Sequence, residues 1–233
     1  APSVVHIQSQ HLDNSGSIAA HQLTFNHQTG INNSGHLLSS GEANIQANTL
    51  RNSGHISGAR LAVDTPFLYN SGTLQQTGLQ GLALHSAQLN NSGKIGYPEP
   101  ESSDPSHSAA NPDKQNSNTS VPPAPGTAQG AGSISSIPGA PIALAEGKIN
   151  VQRLDNTGNI TANGGIDLNN TAQLSNQGQL NLKQLTATGE TLNNANGNIS
   201  AQDTSISVRQ FHNQHGQVAT ERMQIQSHSL DNS

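Results

Sequence analysis

The sequence predicts an all-β protein, a parallel β-helix (solenoid) of about ten coils of about 19 residues with one proline-rich insertion outside the coil. Three observations point to it: a motif repeated along the chain, period-two alternation of apolar residues between its copies, and a composition too poor in apolar residues for a thick core. Hydrophobic residues make up 31% and aromatic residues 2% of the 233 positions, both below the globular share, so a stable fold built from this material has to be thin. Charged residues supply only 10%, whereas disordered chains usually combine low hydrophobicity with high net charge. The polarity comes instead from Asn, Ser, Gln, Thr and Gly, which hydrogen-bond in turns and side-chain ladders without desolvating an ion.

The repeated unit is apolar-x-Asn-x-Gly-x-apolar. It stands as LDNSGSI at Leu12–Ile18, INNSGHL at Ile31–Leu37, LRNSGHI at Leu50–Ile56, LYNSGTL at Leu68–Leu74 and LNNSGKI at Leu89–Ile95. It returns as LDNTGNI at Leu154–Ile160, LSNQGQL at Leu174–Leu180, LNNANGNI at Leu192–Ile199 with one extra residue, and FHNQHGQV at Phe211–Val218; a tenth copy, LDNS from Leu230, stops before its glycine. The motif glycines at 16, 35, 54, 72, 93, 158, 178, 197 and 216 are 19, 19, 18, 21, 65, 20, 19 and 19 residues apart. Between motifs, apolar residues alternate: Leu23 and Phe25, Ala43 and Ile45, Leu61 and Val63, Leu82 and Leu84, Ile166 and Leu168, Ile206 and Val208, Met223 and Ile225. Alternation is the strand signal, and no window matches it with a helical period.

A unit this short cannot bury its apolar side alone, so the strands are expected to coil, each pairing in parallel with its equivalent one coil along at ~4.8 Å. Leu12, Ile31, Leu50, Leu68, Leu89, Leu154, Leu174, Leu192, Phe211 and Leu230 then form one interior column. Ile18, Leu37, Ile56, Leu74, Ile95, Ile160, Leu180, Ile199 and Val218 form a second. The motif asparagines, Asn14, Asn33, Asn52, Asn70, Asn91, Asn156, Asn176, Asn194, Asn213 and Asn232, fall at one turn position of every coil. An amide there can donate to one neighbour and accept from the other, which predicts a structural Asn ladder. The glycine two residues on is expected either to hold a positive φ or to let successive coils approach closely. A leucine-rich repeat also stacks asparagines, but its denser leucine order in longer units is absent here.

The step of 65 exceeds a period of 19 by 46 residues, and nine of the eleven prolines lie within it, from Pro98 to Pro141. Proline cannot donate to a ladder. The expected organisation is therefore coils over 1–96, a Pro/Ser/Gly-rich insertion loop over 97–146, and coils of the same solenoid over 147–233. The insertion reads as a solvated loop, with contact to a receptor or partner as the other possibility.

Nine Lys and Arg against fourteen Asp and Glu give a net charge of −5 without a basic run, so nucleic acid is not an expected partner. There is no cysteine, hence no disulfide or thiolate metal site. No stretch approaches the ~20 apolar residues of a membrane span, and the start, APSVVHIQSQ, lacks signal-peptide regions, so the chain reads as a mature internal fragment. Enzymes on this architecture bring carboxylates of adjacent coils together. Counted from each coil's glycine, Glu42 stands at +7, Asp64 at +10, Asp167 at +9, Glu190 at +12, Asp203 at +6 and Glu221 at +5, so no consecutive pair shares a register. Asp13, Asp155 and Asp231 share the slot before Asn, but never in consecutive coils. Among the eleven histidines His36 and His55 both follow the motif glycine in neighbouring coils, with Thr73 next, so they read as solvated imidazoles, and His212 and His215 read as turn residues. No catalytic residue, cofactor or metal site is expected.

The repeated L-x-N-S-G-x-I at this period resembles the filamentous haemagglutinin repeats of two-partner secretion exoproteins, a family of large adhesins and contact-dependent growth-inhibition toxins. The resemblance covers Leu12–Ile95 and Ile149–Ser233. It implies a right-handed β-helix, export through an outer-membrane two-partner secretion transporter, and a place outside the cell or on its surface. It further implies a role as the structural shaft of a cell-surface adhesin that meets a host or bacterial cell-surface receptor. The alternative it allows is the stalk or receptor-binding segment of a contact-dependent growth-inhibition toxin.

Overall fold

The structure, a computed structural model, describes residues 3–78, 82–96, 148–162 and 165–233. The described strands belong to one compact unit drawn from both ends of the chain. It is a parallel β-solenoid of about nine turns, close to the ten coils expected, because ten motif copies bound nine intervals.

Short strands between turns follow from the pattern. In the first coil β1 (Val4–Asn14) meets the Ser15-Gly16 turn, β2 (Ser17–Ala20) follows, and a second bend at His21 leads into β3 (Gln22–Asn33). The next coils repeat this as β4 (His36–Ser39), β5 (Glu42–Ala47), β6 (Thr49–Asn52), β7 (His55–Gly58), β8 (Arg60–Asp64), β9 (Phe67–Asn70), β10 (Thr73–Gln76), β11 (Ala83–Asn91) and β12 (Lys94–Gly96). Beyond residue 147 come β13 (Lys148–Asn156), β14 (Asn159–Ala162), β15 (Gly165–Asn176), β16 (Gln179–Asn193), β17 (Asn198–His212) and β18 (Gln217–Asp231). Every pairing is parallel and joins a strand to its equivalent one coil along. Leu50 lies opposite Ile31 and Leu68, and Ile56 opposite Leu37 and Leu74. Both expected columns run unbroken, and across the 65-residue step Leu89 lies opposite Leu154 and Ile95 opposite Ile160. The insertion expected at 97–146 lies outside the described residues.

Column members from Ile31 to Phe211 are buried, whereas Leu12 is partly exposed and Leu230 is 54% exposed, because each end coil has a described neighbour on one side only. A third column, on the face between motifs, joins Ile7, Phe25, Ile45, Val63, Leu84, Ile149, Ile166, Leu185, Thr204 and Met223. Its second inward position differs between the two halves. In the amino-terminal coils the large apolar partner precedes the column, as Leu23 does Phe25, and the buried residue after it is small or polar, as Ala47, Thr65 and Ser86 are; in the carboxy-terminal coils the apolar partner follows, as Ile206 does Thr204. Ile206 therefore stacks on Ala187, and the visible pair Ile206 and Val208 is not the equivalent of Ile166 and Leu168. The cause is how residues are shared between bends. Nine residues separate Gly16 from Phe25 but seven separate Gly197 from Thr204, with nine more from Thr204 to Asn213 against eight from Phe25 to Asn33.

The motif glycines settle the choice left open by sequence in favour of close approach. No motif glycine has a left-handed φ, but a Cβ on Gly54 would sit 2.1 Å from the Gly35 carbonyl oxygen and one on Gly72 2.1 Å from that of Gly54. That oxygen is already held by the next coil, since the His55 amide donates to Gly35 at 2.9 Å. In the two copies with an added residue the left-handed positions fall on Asn196 (φ 62°) and His215 (φ 54°), residue types that tolerate this region.

Candidate functional site

The motif turns stack on one side of the solenoid, and their side chains divide by direction. The motif asparagine points inward, while the residues before and after it point out. From Asn14 to Asn232, each Nδ2 donates to the Oδ1 of the asparagine one coil on, through nine links of 2.7 or 2.8 Å. The link from Asn91 to Asn156 spans 65 residues at the same 2.8 Å. Each amide from Asn14 to Asn213 also donates to the carbonyl of its own motif glycine, as Asn70 does to Gly72 at 3.2 Å, and each up to Asn194 approaches a carbonyl of the next coil, as Asn70 does Lys94 at 3.1 Å. Two carbonyl acceptors beside the same atom leave room only for a nitrogen there, so every amide dipole is aligned and the chain of bonds polarises cooperatively. Inner members such as Asn194 are fully buried without an unsatisfied amide.

Outside the ladder, the residues flanking the first six asparagines line a groove along the coils. One wall carries Asp13, Asn32, Arg51, Tyr69, Asn90 and Asp155; the other carries Ser15, Ser34, Ser53, Ser71, Ser92 and Thr157. At ~4.8 Å per coil the groove runs about 24 Å over five steps. Near its start the Asp13 carboxylate accepts from Asn32 Nδ2 at 2.8 Å and meets His11 at 3.0 Å, and these contacts, Asn32 first, hold its pKa below the usual value. Further along, the Arg51 guanidinium lies over the Tyr69 ring at 4.3 Å. At its end Arg153 stands 3.5 Å from Asp155.

Among the described residues the acids do not converge. Asp203 lies opposite Arg222, whose Nη2 donates to it at 2.8 Å; Glu42 lies opposite Arg60 at 3.8 Å; and Glu190 meets Arg209 at 3.5 Å. Asp64 faces Gln46 and His85, and Asp167 faces Asn150 and Thr186. Sequence reading missed these pairs and the Arg51–Tyr69 stack, although the signal was available as unlike partners one period apart: 18 residues for Glu42 and Arg60 and for Arg51 and Tyr69, and 19 for Asp203 and Arg222. His36 and His55 do fall opposite each other, with ring centroids 6.1 Å apart and tilted by 49°. Burial first, then the neighbouring His36, push the pKa of His55 down. Thr73 occupies the next coil, and among the described residues no group of three His, Cys, Asp or Glu side chains gathers for a metal ion.

No helix among the described residues is long and apolar enough to cross a membrane. In comparisons with known proteins, no family model, no curated protein and no solved structure matches this chain.

Proposed function

We propose that this chain is a structural shaft segment of a secreted cell-surface adhesin, presenting its outward side chains for attachment to host or neighbouring cells. The observation that carries the reading is the contrast between the two sides of the motif turn. Inward, asparagine and the apolar columns repeat from coil to coil; outward, the residue before the asparagine changes from Asp13 to Asn32, Arg51, Tyr69 and Asn90. A constant interior supplies stiffness, and a variable exterior on a stiff support is how binding surfaces are usually displayed. In this reading the protein is not an enzyme, needs no cofactor, and leaves the cell through an outer-membrane two-partner secretion transporter.

Beads coated with the 233-residue chain should adhere to epithelial or bacterial cells in a saturable way, with soluble chain competing. Coated beads that adhere no better than beads carrying heat-unfolded chain would overturn the reading.

A further inference from the structure

We propose that the groove on the turn face binds an extended saccharide carrying one carboxylate, with Arg51 as the anchor of that carboxylate. This rests on the reading of the outward coil surface as an attachment surface, and names the chemistry that surface takes.

Arg51 makes no hydrogen bond or ion pair with any described residue, unlike Arg60, Arg153, Arg209 and Arg222, each of which stands beside a carboxylate. Its guanidinium is nevertheless held in place, because it stacks on Tyr69 at 4.3 Å. A planar fork of donors that is positioned but unpaired matches a carboxylate in two-point contact. The acids nearest along the groove leave it free: Asp13 is two coils away and Asp155 three, about 10 and 14 Å at ~4.8 Å per coil, at or beyond the screening length in physiological salt. Asp13 is engaged by Asn32 and His11, and Asp155 lies beside Arg153.

The rest of the groove favours a hydroxyl-rich ligand. The hydroxyls of Tyr69, Ser71, Ser92 and Thr157 and the Asn90 amide make no side-chain hydrogen bond to any described residue, so they stand in a row of free donors and acceptors. An added peptide strand would need free backbone groups, and here the turn amides are spent between coils: Ser71 and Gly72 donate to the Asn52 carbonyl at 2.8 and 3.1 Å. A polyanion needs several cations in series, whereas the groove offers Arg51 with a carboxylate on either side of it.

The test is titration calorimetry of the intact 233-residue chain with sialyllactose, its methyl ester, lactose 3′-sulfate and a hexapeptide containing one Glu. Sialyllactose should bind saturably, and the ester should bind at least about tenfold more weakly for loss of the charge-assisted pair. Arg51→Gln should weaken sialyllactose by a similar factor, and Arg51→Lys, which keeps charge but not the fork, should fall between. Arg209→Gln, outside the groove, should leave binding unchanged. Thermal melting of each variant checks that the coil persists. Equal binding of the ester, stronger binding of the sulfate or the peptide, an unchanged affinity in Arg51→Gln, or no saturable binding of any probe would overturn the assignment. If the coated beads adhere to cells while every sugar fails, only the ligand class falls and the attachment reading stands.

Discussion

At Gly72 a methyl group has nowhere to go. Its ideal Cβ position lies 2.1 Å from the Gly54 carbonyl oxygen, and that oxygen is fixed by the Thr73 amide at 2.9 Å. Gly16 occupies the same place in the motif, yet a Cβ there meets nothing within 4 Å. Neither glycine has a left-handed φ, so backbone strain does not separate the two sites, and only the neighbouring coil does. Gly72→Ala should lose about 1–3 kcal/mol or more, because a backbone carbonyl in a ladder yields less readily than a side chain. Gly16→Ala should be neutral or gain about 0.4–1 kcal/mol by restricting the unfolded chain. Urea unfolding of both variants checks the pair, and equal losses would mean that the glycines serve the turn conformation and not the contact between coils.

Among the elements, β17 carries the one residue that breaks the third interior column. Thr204 lies between Leu185 and Met223, is 3% exposed, and its Oγ1 has no hydrogen-bond partner among the described residues. A buried hydroxyl left unpaired costs about 1–3 kcal/mol, so Thr204→Val, of nearly the same shape, should raise the urea midpoint by the equivalent of about 1 kcal/mol. Thr220→Val should bring no such gain, since that hydroxyl has carbonyl acceptors within reach, that of Arg222 at 2.8 Å and that of Gln202 at 3.1 Å. Thr204 also marks how far the sequence could be read. The columns through Leu50 and Ile56 and the asparagine ladder were legible, because the motif fixes their distance from its own glycine. The third face was legible as strand but not in register, because the residues between glycine and column vary from coil to coil and only backbone pairing aligns Thr204 with Leu185. The groove was the least legible part. Arg51 and Tyr69 are unremarkable singly and become a site only when a turn of 18 residues stacks one on the other.

For the whole molecule, the decisive interval is the step from Asn91 to Asn156. The ladder bond there is as short as its neighbours, and β11 and β12 pair with β13 and β14 in the registers used everywhere else. Whatever residues 97–146 do, the described coils meet as if an ordinary turn joined them. Deleting residues 98–143 removes 46 residues and returns the step of 65 to 19, leaving Tyr97 joined to Leu144. Five residues then lie between Gly96 and Lys148, against four between Ser57 and Ala62 at the equivalent place. Closing a long loop costs only slowly more than closing a short one, about 0.6 kcal/mol per doubling, so the shorter chain should melt at the same temperature or slightly higher. Its far-ultraviolet circular dichroism should remain that of β-sheet. Limited proteolysis of the parent should give two large fragments that stay associated, since strands from both halves are paired across the cut, and the deleted chain should resist the same protease. A large fall in melting temperature on deletion would show that the insertion contributes to the coil, and would move the boundary of the solenoid into residues 97–146.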